Sequence, residues 1–93
     1  MAKEVIKKDG AKEPFDAEKI KSSIMAAAQM ADIEEERQSE VAVEVTAKVV
    51  QGADAKDEIT TSEIRESILS ELDTIEPSVS EAWRKHEEEN KQV

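Results

Sequence analysis

Cysteine is absent from these 93 residues. Its absence removes disulfides, thiolate metal sites and a cysteine nucleophile together, and it fits a reducing compartment. Histidine occurs once, as His86, which argues against a histidine-built metal site. No apolar stretch is long enough for a signal peptide or a bilayer span, so the expected location is cytoplasmic, with no membrane partner. There are no internal repeats, no low-complexity linker and no glycine-rich P-loop. Positive charge is also scarce. Against 23 Asp and Glu stand 13 Lys and Arg, a formal net charge of −10. That disfavours nucleic acid and acidic membranes, because phosphate contacts need clustered cations.

The positive charge that exists is concentrated. Residues 1–21 hold Lys3, Lys7, Lys8, Lys12, Lys19 and Lys21 against five acids, and the remaining residues hold seven basic groups against eighteen acids. An anionic ligand would therefore bind at the N-terminal end. The competing reading is that these lysines only keep an edge strand from pairing with other chains.

The same segment has a defined local pattern. Val5-Ile6-Lys7-Lys8 is a short β-leaning run that meets Asp9-Gly10, a hairpin turn signal with both central residues able to adopt positive φ. Lys12-Glu13-Pro14-Phe15 returns, and Pro14 places it at a sheet edge because proline cannot donate to a ladder. Asp16 is a helix N-cap, with Ala17-Glu18 suited to the first turn.

Four amphipathic patterns follow. Ile20, Ile24, Ala27, Ala28 and Ala31 form one face of a first helix. Asp32 is the expected cap of a second, with Glu34-Glu35-Glu36 on its positive end and Val41, Ala42, Val45 and Val49 as its stripe. That helix is expected to stop near Gln51-Gly52, since glycine favours the left-handed position after a helix. Glu58-Ile59-Thr60 is a candidate third strand. Thr60 and Glu63 have capping-box spacing before a helix striped by Ile64, Ile68, Leu72 and Ile75. Pro77 breaks that helix and suits the first turn of the next. There Ser78 and Glu81 offer another box, and Val79, Ala82, Trp83 and His86 an inner face. The last residues, from Glu87 to Val93, read as a fraying tail.

The expected architecture is α+β, mostly α. A hairpin over 4–15 and helices over about 17–31, 33–51, 62–75 and 77–89 form one domain, a four-helix bundle capped by a sheet of two or three strands.

The residues from Val5 to Ile20, in the order Val5-Ile6-Lys7-Lys8-Asp9-Gly10, Glu13, Asp16, Lys19-Ile20, followed at a distance by Thr61-Ser62-Glu63-Ile64, resemble the ATP-cone domain. The resemblance covers roughly Glu4 to His86. It implies a four-helix bundle capped by a small sheet, and a regulatory module that binds ATP or dATP, with or without Mg2+. Such modules stand at the N-termini of ribonucleotide reductases and in bacterial repressors of reductase genes. They change assembly state or domain contacts with the bound nucleotide and do no chemistry themselves.

Carried onto this chain, the resemblance sets Lys7, Lys8 and Lys19 toward the phosphates, as mobile point charges. Glu13 and Asp16 accept from the adenine amino group, and Val5 and Ile20 line the base pocket. Thr61 donates at a helix N-terminus, with Arg65 one turn later near sugar or phosphate. Lysine stands at position 8 where the family often has arginine, which keeps the charge and loses the bidentate fork. A further basic residue near the end of the last helix has Arg84, Lys85 and Lys91 as candidates. Structural alternatives remain open for Asp16 and Thr61 as caps and for Arg65 as a surface ion pair.

No reductase catalytic domain and no cysteine-built zinc ribbon occur in these residues, so the expectation is a stand-alone cone acting on a protein partner or its own oligomer. Phosphoryl-transfer chemistry would need a phosphate cradle and metal-binding acids with a base, and no such set is visible. The alternative is a degenerate cone kept as a protein-interaction bundle without nucleotide.

Overall fold

The computed structural model describes residues 4–89. Lys3, Lys91 and the end of the expected tail, residues 90–93, lie outside the described residues, while the start of that tail, Glu87–Glu89, is helical and is held through Glu87 by Arg65. The chain runs β1 (Glu4–Ile6), β2 (Lys12–Pro14), α1 (Ala17–Met30), α2 (Glu35–Ala53), β3 (Glu58–Thr60), α3 (Thr61–Ile75) and α4 (Pro77–Glu89). It is mostly helical α+β, four helices with a three-stranded mixed sheet. The strand order is β2-β1-β3, with β1 antiparallel to β2 and parallel to β3.

The hairpin turn differs from the expected form. Gly10 has φ of +88°, but Asp9 stays at negative φ. Gly10 N donates to Lys7 O at 2.9 Å, and Lys7 N donates to Ala11 O at 2.8 Å. This is a three-residue loop, a turn over Lys8-Asp9 followed by a left-handed glycine. Asp9 Oδ1 accepts from Ala11 N at 2.9 Å, which holds the loop. The register keeps Lys8 at the tip.

Strand alternation sorts the sheet's two faces. Val5 is paired with Glu13 on one side and Ile59 on the other. Val5 and Ile59 are buried, so this face meets the bundle. On the outer face Lys12 reaches over the central strand to Glu58 at 2.9 Å, and Glu58 raises the Lys12 pKa.

In the bundle α1 packs on α2 and α4, and α3 packs on the same two helices, which closes a ring. The main core gathers Ile20, Ile24, Ala27 and Ala28 with Val41, Ala42, Val45, Val49, Ile68, Leu72 and Val79. These are the expected stripes, with Trp83 packed against them. A second small cluster of Val5, Ala53 and Ile59 lies under the sheet. Phe15 and Ile64 pack against both clusters and so occupy the seam between sheet and bundle.

Four helix-end details depart from the sequence reading. Asp32 does not cap α2. It adopts φ of +57° in the turn after α1, a conformation Asp tolerates, and the N-cap position of α2 falls to Glu34, which makes no side-chain cap bond. Gly52 does not end α2, which continues to Ala53. Burial of Ala53 beneath the sheet draws the helix through the glycine. Ser78 is not a cap, because α4 begins at Pro77, where the missing N–H costs nothing. Its hydroxyl donates instead to Glu76 Oε2 at 3.3 Å. His86 faces out rather than in.

The corner between α3 and α4 is held from α2. Arg37 donates to Glu76 Oε1 at 2.7 Å and to the Ile75 carbonyl at 3.0 Å, one of the α3 carbonyls with no intrahelical donor.

Candidate functional site

Two helix N-termini point toward the seam between sheet and bundle, and each is closed by a side-chain cap. At α1, Asp16 Oδ1 accepts from Glu18 N at 3.0 Å. Phe15 before the cap and Ile20 in the first turn hold the staple positions. At α3, Thr60 is the cap rather than Thr61. Thr60 Oγ1 accepts from Glu63 N at 3.1 Å and Glu63 Oε1 accepts from Thr60 N at 3.1 Å, the complete reciprocal box. Ile59 and Ile64 hold the matching staple positions. Lys56 pairs with Glu63 and is the chief reason its carboxyl is held below the usual range, with the Thr60 N–H adding to it.

Between these ends lies a cavity of about 120 Å³ lined by Val5, Glu13, Pro14, Phe15, Asp16, Lys19, Ile20, Thr61 and Ile64. Six of the nine residues singled out from the sequence line it: Val5, Glu13, Asp16, Lys19, Ile20 and Thr61. Thr61 also lines a wider, open groove of about 1110 Å³, together with Lys8, Ser62, Arg65, Glu66, Arg84, His86, Glu87 and Glu88. Lys8 and Arg65 belong to this second space. Lys7 lines neither; its ammonium is 3.2 Å from Glu13 Oε2.

The cavity's chemistry is mixed in a useful way. Val5, Phe15, Ile20 and Ile64 give apolar walls, and Phe15 offers an aromatic surface to a flat ring. Glu13 and Asp16 supply carboxylate acceptors at the rim. A volume near 120 Å³ takes only part of a ligand, since sites for whole drug-sized molecules run roughly 300–1,000 Å³. The rest of such a ligand would lie along the groove. There the N–H groups of Thr61 and Ser62, in the first turn of α3, precede the first intrahelical hydrogen bond and suit an anion.

The groove's guanidinium groups are engaged. Arg65 grips Glu87 by two bonds, Nε to Oε2 at 2.7 Å and Nη2 to Oε1 at 2.8 Å. Arg84 grips Asp73 by two bonds of 2.9 Å. The Arg65 guanidinium holds the Glu87 carboxyl below its usual range against the opposing effect of partial burial, and Trp83 and Lys8 contribute in the same direction. Lys85 is exposed outside the groove lining.

Reasoning from sequence missed Pro14, Phe15 and Ile64 as cavity residues. The staple spacing around each cap was the available signal for Phe15 and Ile64. Among the described residues, no group of three or more His, Asp or Glu side chains is placed to hold a metal ion. None of the described helices is long and apolar enough to cross a membrane.

Comparison with known proteins identifies the arrangement. The model of the ATP cone domain matches residues 3–91. No curated protein matches the chain. The chain belongs to the ATP-cone family, whose members are generally nucleotide-binding regulatory modules.

Proposed function

We propose that this chain binds ATP or dATP in the seam between sheet and bundle and reports the bound nucleotide to a protein partner or to a second copy of itself. The observation that carries the reading is the convergence of two capped helix N-termini, two carboxylates and an apolar wall on one cavity that shares Thr61 with a groove of mixed charge holding Lys8 and Arg65.

The adenine enters between Phe15, Val5, Ile20 and Ile64, and its amino group donates to Glu13 or Asp16. Lys7 aims Glu13 by holding one of its carboxylate oxygens. The phosphates run from Lys19 past Thr61 toward Lys8 and Arg65. They meet the positive ends of α1 and α3, where an anion gains from the helix dipole and from free N–H groups. Mg2+ arrives with the phosphates, as it commonly binds through phosphate oxygens and water rather than in an all-protein cage. The protein's contribution is binding and shape; these 93 residues are assigned no reaction of their own.

The net charge of −10 opposes a polyanion at long range. Screening within about 10 Å at 0.1 M salt limits this to the approach, and the local cations decide the contact.

The test is a nitrogen–proton NMR titration with ATP, dATP and Mg2+, paired with calorimetry. Shifts are expected over Val5–Gly10, Glu13–Ile20 and Thr61–Arg65. A spectrum unchanged at millimolar nucleotide would sink the nucleotide reading and leave a protein-interaction bundle.

A further inference from the structure

We propose that Glu87 is a built-in substitute for the ligand's phosphate, an anionic latch that a bound nucleotide must displace. This rests on the nucleotide reading above and concerns how that site is regulated.

The carboxylate of Glu87 is gripped by a guanidinium from another helix, with a lysine and an indole in its surroundings. Arg65 of α3 supplies two hydrogen bonds of 2.7 and 2.8 Å. Lys8, at the hairpin tip, contributes positive charge, and Trp83 lies one turn earlier on α4. The Trp83 indole nitrogen is buried and has no hydrogen-bond partner. A planar carboxylate held by a guanidinium fork with a lysine nearby is the arrangement a phosphate would make. Here the protein makes it with itself.

The other guanidinium of the groove behaves differently. Arg84 is also held by two bonds, but its partner Asp73 does not line the groove. Glu87 does line it. At Arg65 the competing carboxylate lies in the groove itself, so an incoming anion there competes directly with Glu87. The competition is feasible because the pair is partly exposed, with side-chain exposures of 46% for Arg65 and 36% for Glu87. Exposed ion pairs contribute little to stability.

Displacement has a structural consequence. The start of α4 is anchored by buried Val79 and Ser80, whereas His86, Glu88 and Glu89 near its end are exposed. The Arg65–Glu87 pair ties this end to α3. Exchange of Glu87 for phosphate removes this tie, so the last turn of α4 is where a nucleotide would act on the bundle.

The experiment compares wild type with Glu87→Gln, which keeps side-chain size and removes the charge, and with Glu87→Asp, which shortens the reach. The chain has one tryptophan, so its indole N–H gives a single assigned signal. In wild type that signal should move as ATP is added. In Glu87→Gln it should be displaced before any nucleotide is present, and ATP should bind about five- to tenfold tighter, the scale of losing one competing exposed pair and one repelling charge. In an Arg65→Gln background the Glu87 substitution should gain much less. If ATP shifts the amides of Glu13–Ile20 and Thr61 while the indole is still and Glu87→Gln binds as wild type does, the latch is overturned and the nucleotide reading stands. If only Glu87→Gln binds, the latch is supported in its strongest form. If neither protein binds at millimolar ATP, both readings fall.

Discussion

Lys7 Nζ stands 3.2 Å from Glu13 Oε2, with the lysine about half exposed and the glutamate 31% exposed. The pair neutralises the one carboxylate that β2 turns toward the cavity, opposite buried Val5 in the register. A glutamate on that face would otherwise be costly beside apolar walls.

Lys7 is therefore expected to act through Glu13. Lys7→Met should weaken ATP and adenosine by the same factor, about two- to fivefold, as loss of a partly exposed pair would. Calorimetry with both ligands measures it. A loss confined to ATP would show that Lys7 meets the phosphates directly.

Asp16 is both a cap and a cavity residue, and two substitutions separate those roles. Asp16→Ala should cost about 1 kcal/mol of stability, the usual value for a lost N-cap. Asp16→Asn keeps the cap, so its denaturation midpoint should match wild type closely while its ATP affinity falls. Unchanged affinity in Asp16→Asn would leave the residue with the cap alone.

Gly10 is needed for its backbone conformation and not for space, since a Cβ there would meet nothing within 4 Å. Its φ of +88° makes Gly10→Ala strained, with a cost of about 1–2 kcal/mol. Urea unfolding measures the cost. The loop carries Lys8, so the same variant should also weaken ATP binding. Gly10→Asn should lose less on both counts, because asparagine visits this region more readily.

Acid should loosen the α3–α4 contact. Arg84 holds the Asp73 carboxyl at about 2, below its ordinary 3.8. A carboxyl with a depressed folded pKa contributes stability that is fully present above the unfolded value. That contribution is lost as pH falls through the folded one, here from 3.8 toward about 2. Because the pair is about half exposed and screened by solvent, Asp73→Asn should lower the thermal midpoint at neutral pH only slightly and flatten its fall across this acid window. Melting curves from about pH 2 to about pH 7 would show it. A wild-type slope in the variant would place the acid response elsewhere, with Glu87 the next group to substitute because Arg65 lowers its pKa too.

Much of the scaffold was legible from local pattern. The stripes of Ile20-Ile24-Ala27-Ala28, Val41-Val45-Val49 and Ile68-Leu72 all reach the core, since a 3.6-residue period leaves only one face to bury. The Asp16 cap and the Thr60–Glu63 box were equally readable, because both span a few residues. The errors were also local in appearance but tertiary in cause. Gly52 looked like a stop, yet Ala53 is pulled under a sheet whose other strands are some forty residues away in sequence. Asp32 looked like a cap, yet the turn between α1 and α2 needed a left-handed residue just there.

By itself the sequence determined which elements form, where two of the helices are capped, and that lysines are crowded into one end of an acidic chain. Periodicity, capping and charge act over one or two turns, so one chain is enough to read them. Only the tertiary structure decided what the site residues do to one another. It set Lys7 on Glu13 rather than in the cavity lining, placed Thr61 at the junction of cavity and groove, and set Glu87 of the last helix against Arg65, 22 residues away. Ion pairs across elements depend on how helices meet, and no spacing along the chain specifies that meeting.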